Sequence, residues 1–143
     1  MPRREMYVTG TMHNRGRMIV GSYLTKHMLK HWRIGQAWFE HCLIDWDPAA
    51  NAMGWQWVAG SGPDAAPYFR VFNPETQAAK FDADAACIHH FVAELAPEPG
   101  PEARVLRRLP RSWGLSPDAP YPKPLVGLPE GRARARAAYK NRA

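Results

Sequence analysis

Apolar side chains recur at helical rather than strand spacing along most of this chain. Met18, Ile19, Leu24, Met28, Leu29 and Trp32 fall on one such period, with Arg15, Lys26 and Lys30 among the polar positions, and predict a helix over 12–32. Gly16 and Gly21 would each weaken that helix by ~1 kcal/mol relative to alanine, so a second helix or a ligand is expected close against it. The pattern predicts a second helix from Ile34 to Leu43, with Ile34, Ala37, Trp38 and Cys42 inward. Asp47-Pro48 and Asn73-Pro74 each pair an N-cap acceptor with a proline suited to the first helical position. They predict two more helices, the later one running to about Phe81. Ile88, Phe91, Val92 and Leu95 form an i, i+3, i+4, i+7 stripe on a helix starting near Asp84.

Beyond Leu95 the pattern changes. Nine of the 14 prolines lie between Pro97 and Pro129, so this stretch is expected to be extended and turn-rich, wrapped over a surface. A basic helix follows over about Glu130 to Lys140. No segment alternates persuasively with period two and no internal repeat is present. The expected class is all-α.

Composition narrows the function. No apolar run approaches the ~20 residues a membrane span needs, and no apolar segment follows Met1-Pro2-Arg3-Arg4-Glu5 as a secretory signal would require. Cys42 and Cys87 read as reduced core thiols, and the expected location is the cytoplasm. Charge is strongly segregated: +6 over residues 1–33, −7 over 34–99 and +7 over 100–143. Two basic blocks around an acidic middle favour polyanions such as nucleic acid.

The candidate chemistry concentrates in a few segments. Asn51 to Pro74 holds five aromatics, four Gly or Ser and one Arg, a mixture that suits a pocket wall facing a flat ligand. Asn14-Arg15-Gly16-Arg17 places an amide and two guanidinium groups at a helix start, where anions or polar rings can bind. Arg15 and Arg17 point to different faces, so one can meet an internal partner and the other a ligand. The carboxylates of Asp45-Trp46-Asp47 could hold a metal, accept a proton or pair with a buried arginine. Pairing with Arg17 is the most economical, since each charge neutralises the other. Asp47 also reads as a plain N-cap. His27 and His31 have zinc-compatible i, i+4 spacing, but no third ligand is in register, and no metal site is expected. Gly60-Ser61-Gly62 lacks the continuation of a phosphate loop. Five of six tryptophans lie between 32 and 57, and with Asn51 one turn before Trp55 they suit a redox-active or stacking ring system.

Several motifs together resemble a known family. They are Met12-His13-Asn14-Arg15-x-Arg17-Met18, Ser22-x-Leu24-x-Lys26, Trp32-Arg33, Asp45-x-Asp47-x-Ala49-x-Asn51, Gly54-Trp55-Gln56-Trp57 and Asp64 through Pro74. In this order they are similar to the FAD-binding domain of DNA photolyases and cryptochromes. Tyr121-Pro122-x-Pro124-Leu125-Val126 and Arg132…Tyr139-Lys140 resemble the end of that domain. The likeness covers about residues 8–140 and is nearest to cyclobutane pyrimidine dimer photolyases.

The resemblance implies a partial helical FAD-binding domain: residues 1–143 as its C-terminal portion, helical over about 8–96, with a Pro-rich wrap and terminal helix over about 97–143. It implies FAD as cofactor, pyrimidine-dimer DNA as partner, light-driven dimer repair as activity, no metal or membrane, and a monomer. By position, Asn14 would lie between flavin and lesion, Arg17 would pair with Asp45 beside the isoalloxazine, Asp47 would join that segment, and Asn51 would face flavin N5. An amide at this last position suits photolyases; plant cryptochromes typically carry Asp there and animal ones Cys. Trp55 and Trp32 would carry electrons. Met18 and Trp57 would meet the lesion, and Arg15 and Arg70 the DNA. Phosphate contacts by the basic blocks would add sequence-independent affinity.

The likeness reaches only about the last third of a photolyase. Thr11 and Gly127-Leu128 depart from the family pattern. The expectation is therefore a fragment or truncated product that binds FAD poorly alone, because the missing walls also supply burial and preorganisation. The alternatives are a cryptochrome-like photoreceptor or binding module, and a non-functional remnant.

Overall fold

A computed structural model of the chain describes residues 2–64, 71–92, 108–116 and 119–141. Seven α-helices are present among them: α1 Pro2–Thr9, α2 Asn14–Ser22, α3 Trp32–Cys42, α4 Pro48–Ala59, α5 Pro74–Phe81, α6 Ala86–Phe91 and α7 Leu128–Lys140. A π-helical turn, Tyr23–His27, continues α2, and a 3-10 turn spans Arg111–Trp113. The described residues contain no strand, as the all-α expectation requires. Leu95 and most of the proline-rich stretch to residue 107 lie outside the described residues; α1 forms where the hydrophobic pattern offered no helix.

The punctuation expected from sequence acts as the start of α4 and α5. Asp47 Oδ1 accepts from Ala50 N at 2.7 Å, and Pro48 occupies the first turn of α4. Asn73 Oδ1 accepts from Glu75 N at 2.8 Å and Thr76 N at 3.2 Å, opening α5. Replacing a side-chain cap of this kind with alanine costs about 1 kcal/mol. Asn73→Ala is expected to lower stability by that amount in a denaturant titration, with an unchanged midpoint counting against a working cap. Gly60, with φ +79°, ends α4 in the left-handed conformation that lets its N–H reach back to the last carbonyls.

Two helix expectations are corrected. The helix read over 12–32 stops earlier: its last turn widens to i→i−5 bonding, with Met28 N donating to Tyr23 O at 3.0 Å. Leu29 then adopts φ +52°. Trp32 consequently opens α3 rather than ending the helix before it. The inward face of α3 is also rotated from the one expected. Ile34 is 59% exposed and Trp38 39%, whereas Gly35 and Phe39 are buried. The cause is Gly35, whose bare backbone lets the Trp55 ring of α4 lie directly on α3.

That contact is the centre of the core. Met6, Met12, Phe39, Leu43 and Trp55 form one buried cluster, with Val20, Leu24, Trp32, Cys42 and Trp46 packed on it. Phe39 meets Trp55 edge-on, ring centroids 4.9 Å apart. Gly21 of α2 faces Val58 and Trp55, with room for a Cβ only 3.2 Å from Val58 Cγ1, which explains a glycine within that helix. Cys42 and Cys87 are free thiols, as expected. Burial pushes both above the ordinary thiol range.

Candidate functional site

The segment joining α1 to α2 and the loop joining α3 to α4 lie side by side. Ile44 N donates to Gly10 O at 2.9 Å, and Gly10, at φ +71°, is packed against the Ile44 side chain. This junction carries Asp45 to the first turns of α2. There Arg17 Nη2 donates to both Asp45 oxygens, at 2.9 Å to Oδ1 and 2.6 Å to Oδ2. Arg17 Nε donates to Met12 O at 2.9 Å, which fixes the guanidinium plane. The pairing expected between Arg17 and Asp45 is thus formed. It ties together segments 28 residues apart while Asp45 keeps an open side toward solvent.

Asp47 and Asn51 continue the same line onto α4. Asp47 spends Oδ1 on its cap. Asn51 Nδ2 donates to the Gln36 backbone carbonyl of α3 at 3.1 Å. No described residue donates to its Oδ1, so the amide presents an acceptor away from α3. Asn14, at the start of α2, is exposed, and its side chain makes no hydrogen bond with any described residue. His13 caps α2 through Nδ1, which accepts from Arg15 N at 3.2 Å.

Arg15 and Met18, on the outer side of α2, meet a second feature. With Val71, Phe72, Asn73, Thr76 and Gln77 they line an open groove of about 430 Å³ between α2 and α5. The Arg15 guanidinium also lies over the Phe81 ring, 4.6 Å from its centroid. Ser22 secures the groove floor by accepting from Phe72 N at 3.0 Å. Gln77 Oε1 is buried there without a partner. Arg70 lies outside the described residues.

The tryptophans divide by environment. Trp55 is 3% exposed and Trp32 half-buried on the same core, so the two belong to one continuous apolar mass. Trp57 is half-buried on α4. His27 and His31 do not converge: His27 is buried in the π-turn, while His31 is exposed and caps α3, accepting from Arg33 N at 3.3 Å. Among the described residues no three His, Cys, Asp or Glu side chains group as a metal site would need.

Sequence reasoning did not find the roles of the Met12 and Gln36 carbonyls, or Thr76 and Gln77. The first two act through backbone carbonyls, which leave no side-chain signature. The other two read only as ordinary positions of α5.

The arrangement offers a fixed guanidinium–carboxylate pair, a spare carboxylate oxygen and an outward amide oxygen, beside a groove with one guanidinium and one thioether. Residues 3–141 match the family model described as the FAD binding domain of DNA photolyase. The chain is 46% identical to a deoxyribodipyrimidine photo-lyase of Agrobacterium fabrum over 95% of its length, and 45% identical to that of Escherichia coli over 96%. It spans 29% of each of those relatives. Among solved structures it resembles a class III photolyase from Agrobacterium tumefaciens, with a TM-score of 0.79 and 46% identity, covering 97% of this chain and 30% of that one. It also resembles a cryptochrome from Synechocystis, with a TM-score of 0.76 and 36% identity, covering 95% of this chain and 29% of that one.

Proposed function

Because the chain belongs to the family of FAD-binding domains of DNA photolyase, we propose that it supplies part of the flavin and lesion site of a light-driven repair lyase for cyclobutane pyrimidine dimers. In this reading residues 1–143 are the C-terminal portion of the FAD domain, helical over about 8–96, with a proline-rich wrap and terminal helix over about 97–143. The observation that carries the proposal is the Arg17–Asp45 pair set beside the unengaged Asn51 amide oxygen.

The residues present suit a flavin. An isoalloxazine edge carries both donors and acceptors, and the outward Asn51 oxygen, the second Asp47 oxygen and the open side of Asp45 can receive its N–H groups. Arg17 neutralises Asp45 and holds it still, so the carboxylate is presented without free rotation. Bound FAD would supply the electron that splits the dimer and take it back afterwards. Trp55 and Trp32, which share one apolar core, are assigned to electron supply. Asn14 is assigned to the space between flavin and lesion, Met18 and Trp57 to the lesion, and Arg15 and Arg70 to the DNA. Flipping the damaged bases out costs least where stacking is already broken, which favours lesions over intact sequence. The protein is expected to work as a monomer in the cytoplasm; no helix among the described residues is long and apolar enough to cross a membrane.

A chimera tests the activity directly. Residues 3–141 replace their counterpart in the Escherichia coli relative, and dimer repair is followed under blue light. Repair is expected; a folded, flavin-loaded chimera that repairs nothing would overturn the lyase assignment. Within it, Trp57→Ala is expected to weaken binding to dimer-containing DNA by ~1–3 kcal/mol, roughly five- to 150-fold. The 143 residues alone should lose FAD on gel filtration, since this part of the site lacks enclosing walls; a stoichiometric flavin spectrum after the column would contradict that.

A further inference from the structure

The terminal helix α7 is held by one small part of the chain. Among the described residues its principal neighbour is the π-turn Tyr23–His27, and Gly131 is its only buried residue. Gly131 packs on the His27 ring so closely that an added Cβ would stand 2.7 Å from His27 Cγ. Just before the helix, Tyr23 Oη donates to Val126 O at 2.9 Å and accepts from Val126 N at 3.1 Å. Tyr23 and His27 stack on each other, ring centroids 5.0 Å apart, so one aromatic pair grips both the lead-in and the first turn of α7. The buried cluster of Met6, Met12, Phe39, Leu43 and Trp55 takes no residue from α7. A segment attached in this way can open by itself while the core stays closed.

The grip depends on a neutral ring. His27 is 1% exposed and its Nδ1 has no hydrogen-bond partner, so a charge placed there is poorly compensated. The elements around it bring no counter-charge. Tyr23 faces it with its hydroxyl engaged on Val126, and the adjacent Lys26 directs Nζ away to Ala59 O at 2.6 Å. From α2 comes the Ser22 backbone, and from α7 comes Gly131, whose charged neighbours Glu130 and Arg132 are exposed. Burial lowers the proton affinity of the ring below the ordinary value near 6.5, and the Ser22 backbone offsets only part of this. Lifting Gly131 off the ring admits water without breaking the core. We propose that Tyr23, His27 and Gly131 form a proton-operated clasp, in which protonation of His27 releases Val126 to Lys140 as a unit and leaves the Trp55 core and the Arg17–Asp45 pair in place. The clasp needs neither flavin nor DNA and does not rest on the repair reading.

Hydrogen exchange of the 143-residue chain, read by mass spectrometry and corrected for the intrinsic pH dependence of exchange, tests the clasp at pH 7.5 and 5.5. Each pH unit below the free-histidine value multiplies the open population by at most about ten. Opening of α7 should therefore rise at least about threefold, and no more than about tenfold, over this interval. At pH 5.5 it should exceed the opening of α3 and α4 by more than about tenfold, as a local event does. His27→Leu should remove most of the rise. A smaller rise in the unaltered chain would overturn the proposal, as would an undiminished rise in H27L. Equal opening of α7, α3 and α4 would also overturn it, because α7 would then leave only when the whole chain unfolds. A proton NMR titration of the unaltered chain decides the matter even where H27L fails to fold. The His27 ring and the α7 amides should share one midpoint below 6.5, and separate midpoints would sink the clasp.

Discussion

Alanine at position 35 is expected to lower the melting temperature of this chain by on the order of 10 °C. The methyl group would stand 2.6 Å from Trp55 Cζ3 and closer still to Cη2 and Cζ2, and neither side can yield easily. On one side is the backbone of α3; on the other is a 3% exposed indole wedged edge-on to Phe39. Overpacking of a closed core costs roughly 1–3 kcal/mol and sometimes more. At this chain length each kcal/mol moves the midpoint by about 3–4 °C. Because the site residues Asn51 and Gln36 lie on the same two helices, their hydrogen bond should loosen as α3 and α4 separate. Thermal unfolding followed by circular dichroism checks the expectation; a shift below about 2 °C would show that Trp55 has another place to go.

Acid should weaken the fold through His27. The ring is 1% exposed, its Nδ1 has no hydrogen-bond partner, and burial lowers its proton affinity below the ordinary value near 6.5, with the Ser22 backbone offsetting only part of this. The groups facing it are Tyr23, stacked at 5.0 Å, and Gly131 of α7. In the unfolded chain His27 accepts a proton more readily than in the folded one. Its contribution is therefore complete above pH ~6.5 and is lost progressively as pH falls from there toward the lower folded value. The melting temperature should drop between pH 7.5 and 5.5, and His27→Leu should flatten much of that dependence. Equal slopes for the two proteins would remove His27 as the cause.

The all-α class, the capped starts of α4 and α5 and the Arg17–Asp45 pair were legible in the sequence because each rests on local chemistry. A cap needs only an acceptor followed by a proline, and a half-buried guanidinium needs a carboxylate. The face of α3 was not legible. Ile34 and Trp38 are the larger side chains, and hydrophobicity alone turns them inward. The decision was made by Gly35, a residue without a side chain, once Trp55 arrived from another helix. The end of the first long helix was hidden for a similar reason. Tyr23 to His27 has ordinary helical propensity, and only docking against α7 rewards the wider turn. The groove residues Thr76 and Gln77 became visible only when α5 was brought beside α2.

The π-turn has a consequence for how this rod can change. Residues 14–27 run as one continuous helix with a single overwide turn near its end, and that turn absorbs about one extra residue. Upstream of it, Arg17 is set in phase with Asp45, and Arg15 and Met18 with the groove beside α5; downstream, Tyr23 and His27 are set in phase with the terminal segment that packs on them. The turn works as a phase shifter between two faces that a uniform helix would lock together. Deleting one residue there would return the turn to ordinary i→i−4 bonding, removing the bulge while leaving the Arg17–Asp45 pair in register. The contacts that hold the terminal helix and those that hold Asp45 are therefore set at opposite ends of the rod, on either side of the wide turn.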